Sequence, residues 1–149
     1  MYLSKTLLLF VLLFTSAAIK AAAQTPGPSA IIGVWLNEEK DGKIEIYQSG
    51  DKYYGKLIWG RNLILSDGRL RLDDNNPDYH LKARNLLNLV ILTDFVYKDG
   101  DWEDGKIYDP KSGKTYSSVI KFAGNKLNIR GYVGISLFGR TTVWTRAAR

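Results

Sequence analysis

The stretch IIGVWLNEEKDGKIEIY, residues 31–47, decides the fold. Its second half alternates. Ile44 and Ile46 oppose Lys43 and Glu45, the period of a strand with one face in a core. Its first half sets Gly33 two residues ahead of Trp35, so a large ring follows a glycine where the alternation begins. Outward from there the same two-residue period recurs, as where Leu127 and Ile129 oppose Asn128 and Arg130. Short alternating runs predict strands near 32–37, 43–49, 52–60, 89–97, 103–108, 114–122, 126–132 and 139–146. Turn residues separate them. Gly50-Asp51 suits a two-residue hairpin with glycine first. Asp99-Gly100 joins the fourth and fifth runs, and Ala123-Gly124-Asn125 the sixth and seventh. In YDPKSGKTY, Pro110 fits a turn's first central position and Gly113 a site of positive φ.

The fourth run, LVILTDFVY, is apolar on both faces and reads as a strand covered on both sides. The cover is the one insert without strand pattern, residues 61–88. Within it DDNNPDYHLKAR predicts a short helix start. Asn76 would be the N-cap, Pro77 the first helical residue and Asp78 an acid favoured by the helix dipole. Eight sequential strands with mostly short links form either an open sandwich or a closed up-and-down barrel. Closure hides every edge, and short links favour it, so the expected fold is an all-β, eight-stranded antiparallel barrel with one short helical insert between strands 3 and 4.

Residues 1–23 have the layout of a signal peptide: Lys5, the apolar run 7–14, then Ala21-Ala22-Ala23 before an expected cut ahead of Gln24. The uncharged stretch 6–19 is shorter than the roughly 18–20 residues a span requires. The expected product is exported, periplasmic or extracellular, and has no stable membrane anchor after cleavage. Residues 24–30 read as a Pro/Gly linker and 31–149 as the domain. Removing Lys5 and Lys20 with the signal takes the formal charge from +6 to +4. The lysines are scattered, which gives no ground for a nucleic-acid partner. With no cysteine and His80 as the single histidine, thiolate and two-histidine metal sites are excluded within one chain. Nucleophile-elbow, phosphate-loop and dinucleotide patterns are absent, and no cofactor is expected. An acid–base pair of carboxylates, such as Glu45 with Glu103, needs only spatial proximity and stays open.

Two resemblances bear on these runs. Gly33-x-Trp35 on the first strand, with Arg146 near the end of the last, resembles the lipocalin-like barrels of the calycin group. That resemblance implies that the ring plugs one end and that a basic side chain lies across it, closing the last strand onto the first. Arg140 is a second candidate for that role. Across the domain, Gly33-Val34-Trp35, GDKYYGKLIW (50–59), DDNNPD (73–78), GKIYDPKSGKTY (105–116), LNIRGYVG (127–134) and GRTTVWTR (139–146) resemble the bacterial exported "domain of unknown function 2147" family. The family is regarded as lipocalin-like, and its activity is not established. This chain has Asn88 where that family tends to have glycine. Asparagine tolerates a left-handed backbone better than most residues.

Each candidate site has two readings. Asp73, Asn76, Pro77 and Asp78 form the most polar cluster, either a calcium site or ligand-gripping lid, or an Asx turn with a cap. The spacing lacks the glycine and distal glutamate of an EF-hand loop, so the cap is preferred and no metal is expected. Tyr108, Asp109 and Tyr116 could meet at a ligand, or belong to a hairpin whose aspartate closes its own turn. The aromatics would line a pocket or fill a core. The leading expectation is a barrel that binds a small, partly apolar molecule, with Asp78, Tyr79 and Arg84 of the insert orienting it beside Tyr108, Asp109 and Tyr116. A filled barrel acting on an envelope protein and a carboxylate-dependent glycan hydrolase are the alternatives.

Overall fold

A computed structural model describes residues 24–149, and the expected signal peptide lies outside them. Eight strands run in order around a closed antiparallel barrel: β1 (Gly33–Leu36), β2 (Gly42–Ser49), β3 (Lys52–Gly60), β4 (Val90–Lys98), β5 (Asp101–Asp109), β6 (Lys114–Ala123), β7 (Lys126–Tyr132) and β8 (Arg140–Arg146). Each boundary lies within two residues of the run predicted from alternation. The hairpins form where the turn residues allow. Gly50 takes φ +63° between the closing pair Ser49 and Lys52, and Asp99 and Gly100 both take positive φ between Lys98 and Asp101.

Closure rests on a short seam. β1 and β8 share two register pairs, Trp35 with Arg146 and Leu36 with Thr145, and the Ala147 amide donates to the Val34 carbonyl at 2.9 Å. Side chains reinforce the seam. The Arg146 guanidinium lies 4.1 Å from the centre of the Trp35 ring and donates to the carbonyls of Ile32 (3.1 Å) and Ala30 (2.7 Å). The indole N–H donates to the Ile31 carbonyl at 2.8 Å, and the ring is fully buried. Gly33 makes room for this. Its φ is +133°, and a Cβ there would sit 2.7 Å from the Arg146 Nη1. Arg140 pairs with Gly131 at the opposite end of β8, so it takes no part in the seam.

The closed end is packed with aromatic rings. Phe122 meets Trp35 and Trp102 at centroid distances of 5.9 and 5.8 Å, and Trp102 also contacts Tyr97 and Tyr53. Residues 24–30, read as a linker, lie against this end. The Tyr97 hydroxyl donates to the Pro26 carbonyl at 2.6 Å, and a 3-10 turn, Pro28–Ile31, buries Ile31 beneath the barrel.

The insert departs from expectation twice. Its helical content is a single 3-10 turn, Tyr79–Leu81, and the cap is Asp78, whose carboxylate accepts from the His80 amide at 2.9 Å. Asn76 is not the N-cap, and Pro77 does not begin the turn, because the Asn76 Oδ1 accepts from the Asp78 amide at 2.9 Å in an Asx turn that carries the chain past Pro77 before the 3-10 turn starts. On β4 the neighbours Ile91 and Leu92 are both buried, in one core cluster with Leu63 and Leu86 of the insert, while Val90 and Val96 stay half-buried. The apolar pattern of β4 also has a second cause. Asp94 adopts φ +63° and the β3–β4 register shifts, so Leu92 and Phe95 are both buried although three residues apart. Asp104 does the same in β5, and buried Gly105 leaves room for the Phe95 ring. Asn88 takes φ +65°, the left-handed conformation its side chain tolerates.

Replacing Trp35 by alanine removes the ring on which the closed end packs. Equilibrium denaturation of Trp35→Ala should show a loss of roughly 3–5 kcal/mol. A loss below about 1 kcal/mol would mean the ring is not part of the core.

Candidate functional site

The aromatic packing stops halfway up the barrel. Above it the strands enclose a cavity of about 860 Å³, open at the end formed by the β1–β2, β3–β4, β5–β6 and β7–β8 connections. Its wall follows from strand parity. Ile44 on β2, Leu57 on β3, Ile107 on β5, Ile129 on β7 and Trp144 on β8 all face it. Leu63 and Leu86 of the insert and Ile91 of β4 complete the apolar lining. Polar groups gather near the mouth, among them Tyr108, Tyr116, Thr142 and Arg140. This arrangement can bury an apolar body and meet a polar end with a few hydrogen bonds or a charge.

The insert is fastened to the barrel by a buried carboxylate. Asp73 is 1% exposed. One of its oxygens accepts from Arg84, Nε at 2.9 Å and Nη2 at 2.8 Å, and from the Asn76 amide at 2.8 Å. The other accepts from the Tyr108 hydroxyl at 2.5 Å. Asn76 Nδ2 also donates to the Tyr108 oxygen at 3.1 Å, and the Arg84 guanidinium lies 5.4 Å from the centre of the Tyr108 ring. Asn75 donates to the carbonyls of Pro110 and Lys111, each at 3.1 Å. Gly113, at φ +70°, leaves space for the Asn75 carbonyl. The two polar stretches singled out in sequence, 73–78 and 105–116, therefore meet as one clasp at the mouth. Burial, and then the bond to the Asp73 carboxylate, raises the Tyr108 phenol above its ordinary value.

Of the candidate ligand residues, Tyr108, Asp109 and Tyr116 line the cavity. The Asp109 carboxylate is occupied by its own turn, accepting from the Lys111 amide at 3.0 Å and the Ser112 hydroxyl at 2.6 Å. Asp78, Tyr79 and Arg84 are not among the lining residues. Asp78 caps the 3-10 turn, Tyr79 is 81% exposed, and Arg84 is turned onto Asp73. Glu45 and Glu103 are not brought together. Glu45 pairs with Lys56 and Arg149 on β2, and Glu103 with Lys98 on β5. Lys111 bridges Glu39 and Asp41 at the rim, and Asn37 and Lys111 hold the Asp41 carboxyl below its usual range. Among the described residues no group of three or more His, Cys, Asp or Glu is placed to hold a metal ion. No helix there is long and apolar enough to cross a membrane.

The apolar lining is the part of the site that sequence reading missed. Its signal was present in the alternation, where Ile44 and Ile129 each lie on the apolar side of a strand. Arg84 and Tyr108 were each noted, but nothing local in the sequence joins them to Asp73.

Comparison with known proteins agrees with this geometry. A family model described as "Uncharacterized protein conserved in bacteria (DUF2147)" matches residues 33–146. Among solved structures, protein HP1028 of Helicobacter pylori, described as belonging to the lipocalin family, is similar at 25% identity and a TM-score of 0.68. The match covers 78% of this chain and 82% of that one. No curated protein matches the chain.

The clasp yields a test. Tyr108→Phe should lower stability by about 1.5–3 kcal/mol, the value of a hydrogen bond to a charged group. Arg84→Ala should cost about 3 kcal/mol by leaving Asp73 buried without its cation. The raised phenol also fixes a sign. Its contribution is complete below the unfolded value of 10.0 and is lost as pH rises through the higher folded value. The stability gap between wild type and Tyr108→Phe should hold steady from about pH 7 to 9 and narrow above about pH 10. A gap that widens there would contradict the assignment.

Proposed function

The chain belongs to the DUF2147 family and has a lipocalin-like fold, and from that premise we propose that it binds a small, partly apolar molecule in the open half of its barrel after export to the periplasm or cell envelope. The observation that carries this reading is the cavity of about 860 Å³, within the range of small-molecule sites and lined mainly by aliphatic side chains and Trp144. A ligand burying about 200 Å² of apolar surface there gains about 5 kcal/mol before the costs of binding. Tyr116 and Arg140 at the mouth supply orientation, and Tyr108 is held in place by its bond to Asp73. The layout of residues 1–23 supports export. The open lumen favours this reading over a filled-barrel interaction module, and the separation of Glu45 from Glu103 favours it over a glycan hydrolase.

Titration of the protein beginning at Gln24 with 1-anilinonaphthalene-8-sulfonate should give saturable binding with quenching of tryptophan fluorescence. Ile107→Trp, which fills the lumen, should weaken that binding by at least about tenfold while the near-ultraviolet circular dichroism remains that of a folded barrel. Native mass spectrometry should show one bound molecule per chain. Non-saturable binding, or affinity indifferent to Ile107→Trp, would refute a lumen site.

A further inference from the structure

The connections at the open end follow one another around the mouth in the order β1–β2, β3–β4, β5–β6 and β7–β8, because the strands close the barrel in sequence. The β1–β2 loop therefore stands opposite the β5–β6 hairpin, with the lumen between them. An ion-pair bridge spans that gap. Lys111, in the β5–β6 turn, reaches the Asp41 carboxylate on the β1–β2 loop at 2.9 Å and pairs with Glu39 beside it. All three residues line the cavity. Hairpins on opposite sides of a barrel are held apart by the width of the lumen, so a contact between them crosses the opening.

Each end of the bridge is fixed independently of it. Asn37 Oδ1 accepts from the amides of Asp41 and Gly42, both at 3.0 Å, and Asn37 Nδ2 donates to the Asp41 carboxylate at 2.7 Å. The Arg61 amide donates to the Asp41 carbonyl at 2.9 Å, which ties the loop to the start of the insert. Across the mouth, the Lys111 amide donates to Asp109 Oδ1 at 3.0 Å, and its carbonyl accepts from Asn75 at 3.1 Å. The acids nearby have other work: Asp109 closes its own turn, and Glu38 accepts from the Val143 amide. With the backbone held on both sides, the moving part is the Lys111 side chain, a mostly exposed, flexible stem that can swing clear of the opening.

We propose that the bridge from Lys111 to Glu39 and Asp41 is a latch across the barrel mouth, which sets how fast a small molecule enters and leaves the lumen without setting its affinity. The latch rests on the lumen being the binding site. A bar across the opening obstructs entry and exit alike, so it scales the two rates together and leaves their ratio unchanged. An exposed ion pair is weak, so its loss should speed exchange by about three- to fivefold and not by orders of magnitude.

Stopped-flow mixing of the chain from Gln24 with 1-anilinonaphthalene-8-sulfonate reads both rates. Lys111→Met should raise the association and dissociation rates together by about three- to fivefold and change the dissociation constant by less than about twofold. Glu39→Gln with Asp41→Asn should do the same. The probe is an anion, so a through-space charge effect would slow its entry in the first variant and speed it in the second, whereas a broken latch speeds both. Lys111→Arg, which keeps the ion pairs, should stay within about twofold of the wild-type rates. The chain has no cysteine, so Glu39→Cys with Lys111→Cys can be joined by a short bis-maleimide. The linked protein should exchange the probe at least about tenfold more slowly than the unlinked one. Near-ultraviolet circular dichroism checks that each variant folds. Saturable binding that Ile107→Trp weakens, with rates indifferent to Lys111→Met, would overturn the latch and leave the lumen site standing. Rates that move in opposite directions in the two charge variants, or a linked protein that exchanges as fast as the unlinked one, would also overturn it. Non-saturable binding to the wild-type protein would remove the lumen site and the latch together.

Discussion

The barrel depends on one contact between its first and last strands. β1 is four residues long and meets β8 through two register pairs, so backbone hydrogen bonding alone leaves the seam thin. The Arg146 guanidinium adds what the ladder lacks. It covers the face of Trp35, bonds two carbonyls of the chain entering β1, and keeps water from the closed end. Arg146 is itself partly exposed, so the cation–π term is of modest size, about 0.5–1 kcal/mol. The larger effect is on Trp35, which is fully buried against Phe122 only while that end stays shut. The glycine two residues before the ring gives the guanidinium room to lie there.

From the seam the molecule divides into two halves with different duties. The closed half is filled by aromatic rings that fit because Gly105 yields to Phe95 and because Asp94 and Asp104 shift strand phase. The open half keeps aliphatic side chains apart and leaves the lumen. The packed core and the open cavity are thereby separated along the barrel axis. The clasp at Asp73 belongs to the open half, where it holds the insert against the β5–β6 hairpin and fixes Tyr108 at the edge of the cavity.

The strands were legible because their determinants are local. Alternation sets the inner face, and Gly50, Asp99-Gly100 and Gly113 supply the backbone conformations that turns demand. Features made by residues distant in sequence were not legible. The phase shift at Asp94 arises in the pairing with β3, so LVILTDFVY looked like a strand buried on both faces. Asn76 has the side chain of an N-cap, but its Oδ1 accepts from the Asp78 amide in an Asx turn while its amide group donates to Asp73 and to Tyr108, thirty-two positions later, and the cap falls to Asp78. The cavity is the space left once eight inner faces are set around one axis, and no single run encodes it. The same limit applied to Asp78 and Tyr79, which lie outside the cavity lining, Asp78 as a cap and Tyr79 exposed.

Amide hydrogen exchange across the seam tests the central claim most directly. In Arg146→Met, protection of the Ala147 amide and of the β1 amides should fall by at least about tenfold relative to wild type, while amides of the β5–β6 hairpin keep theirs. Seam protection equal to that of the wild-type protein would show that β1 and β8 hold together without the guanidinium, and the account of closure would be wrong.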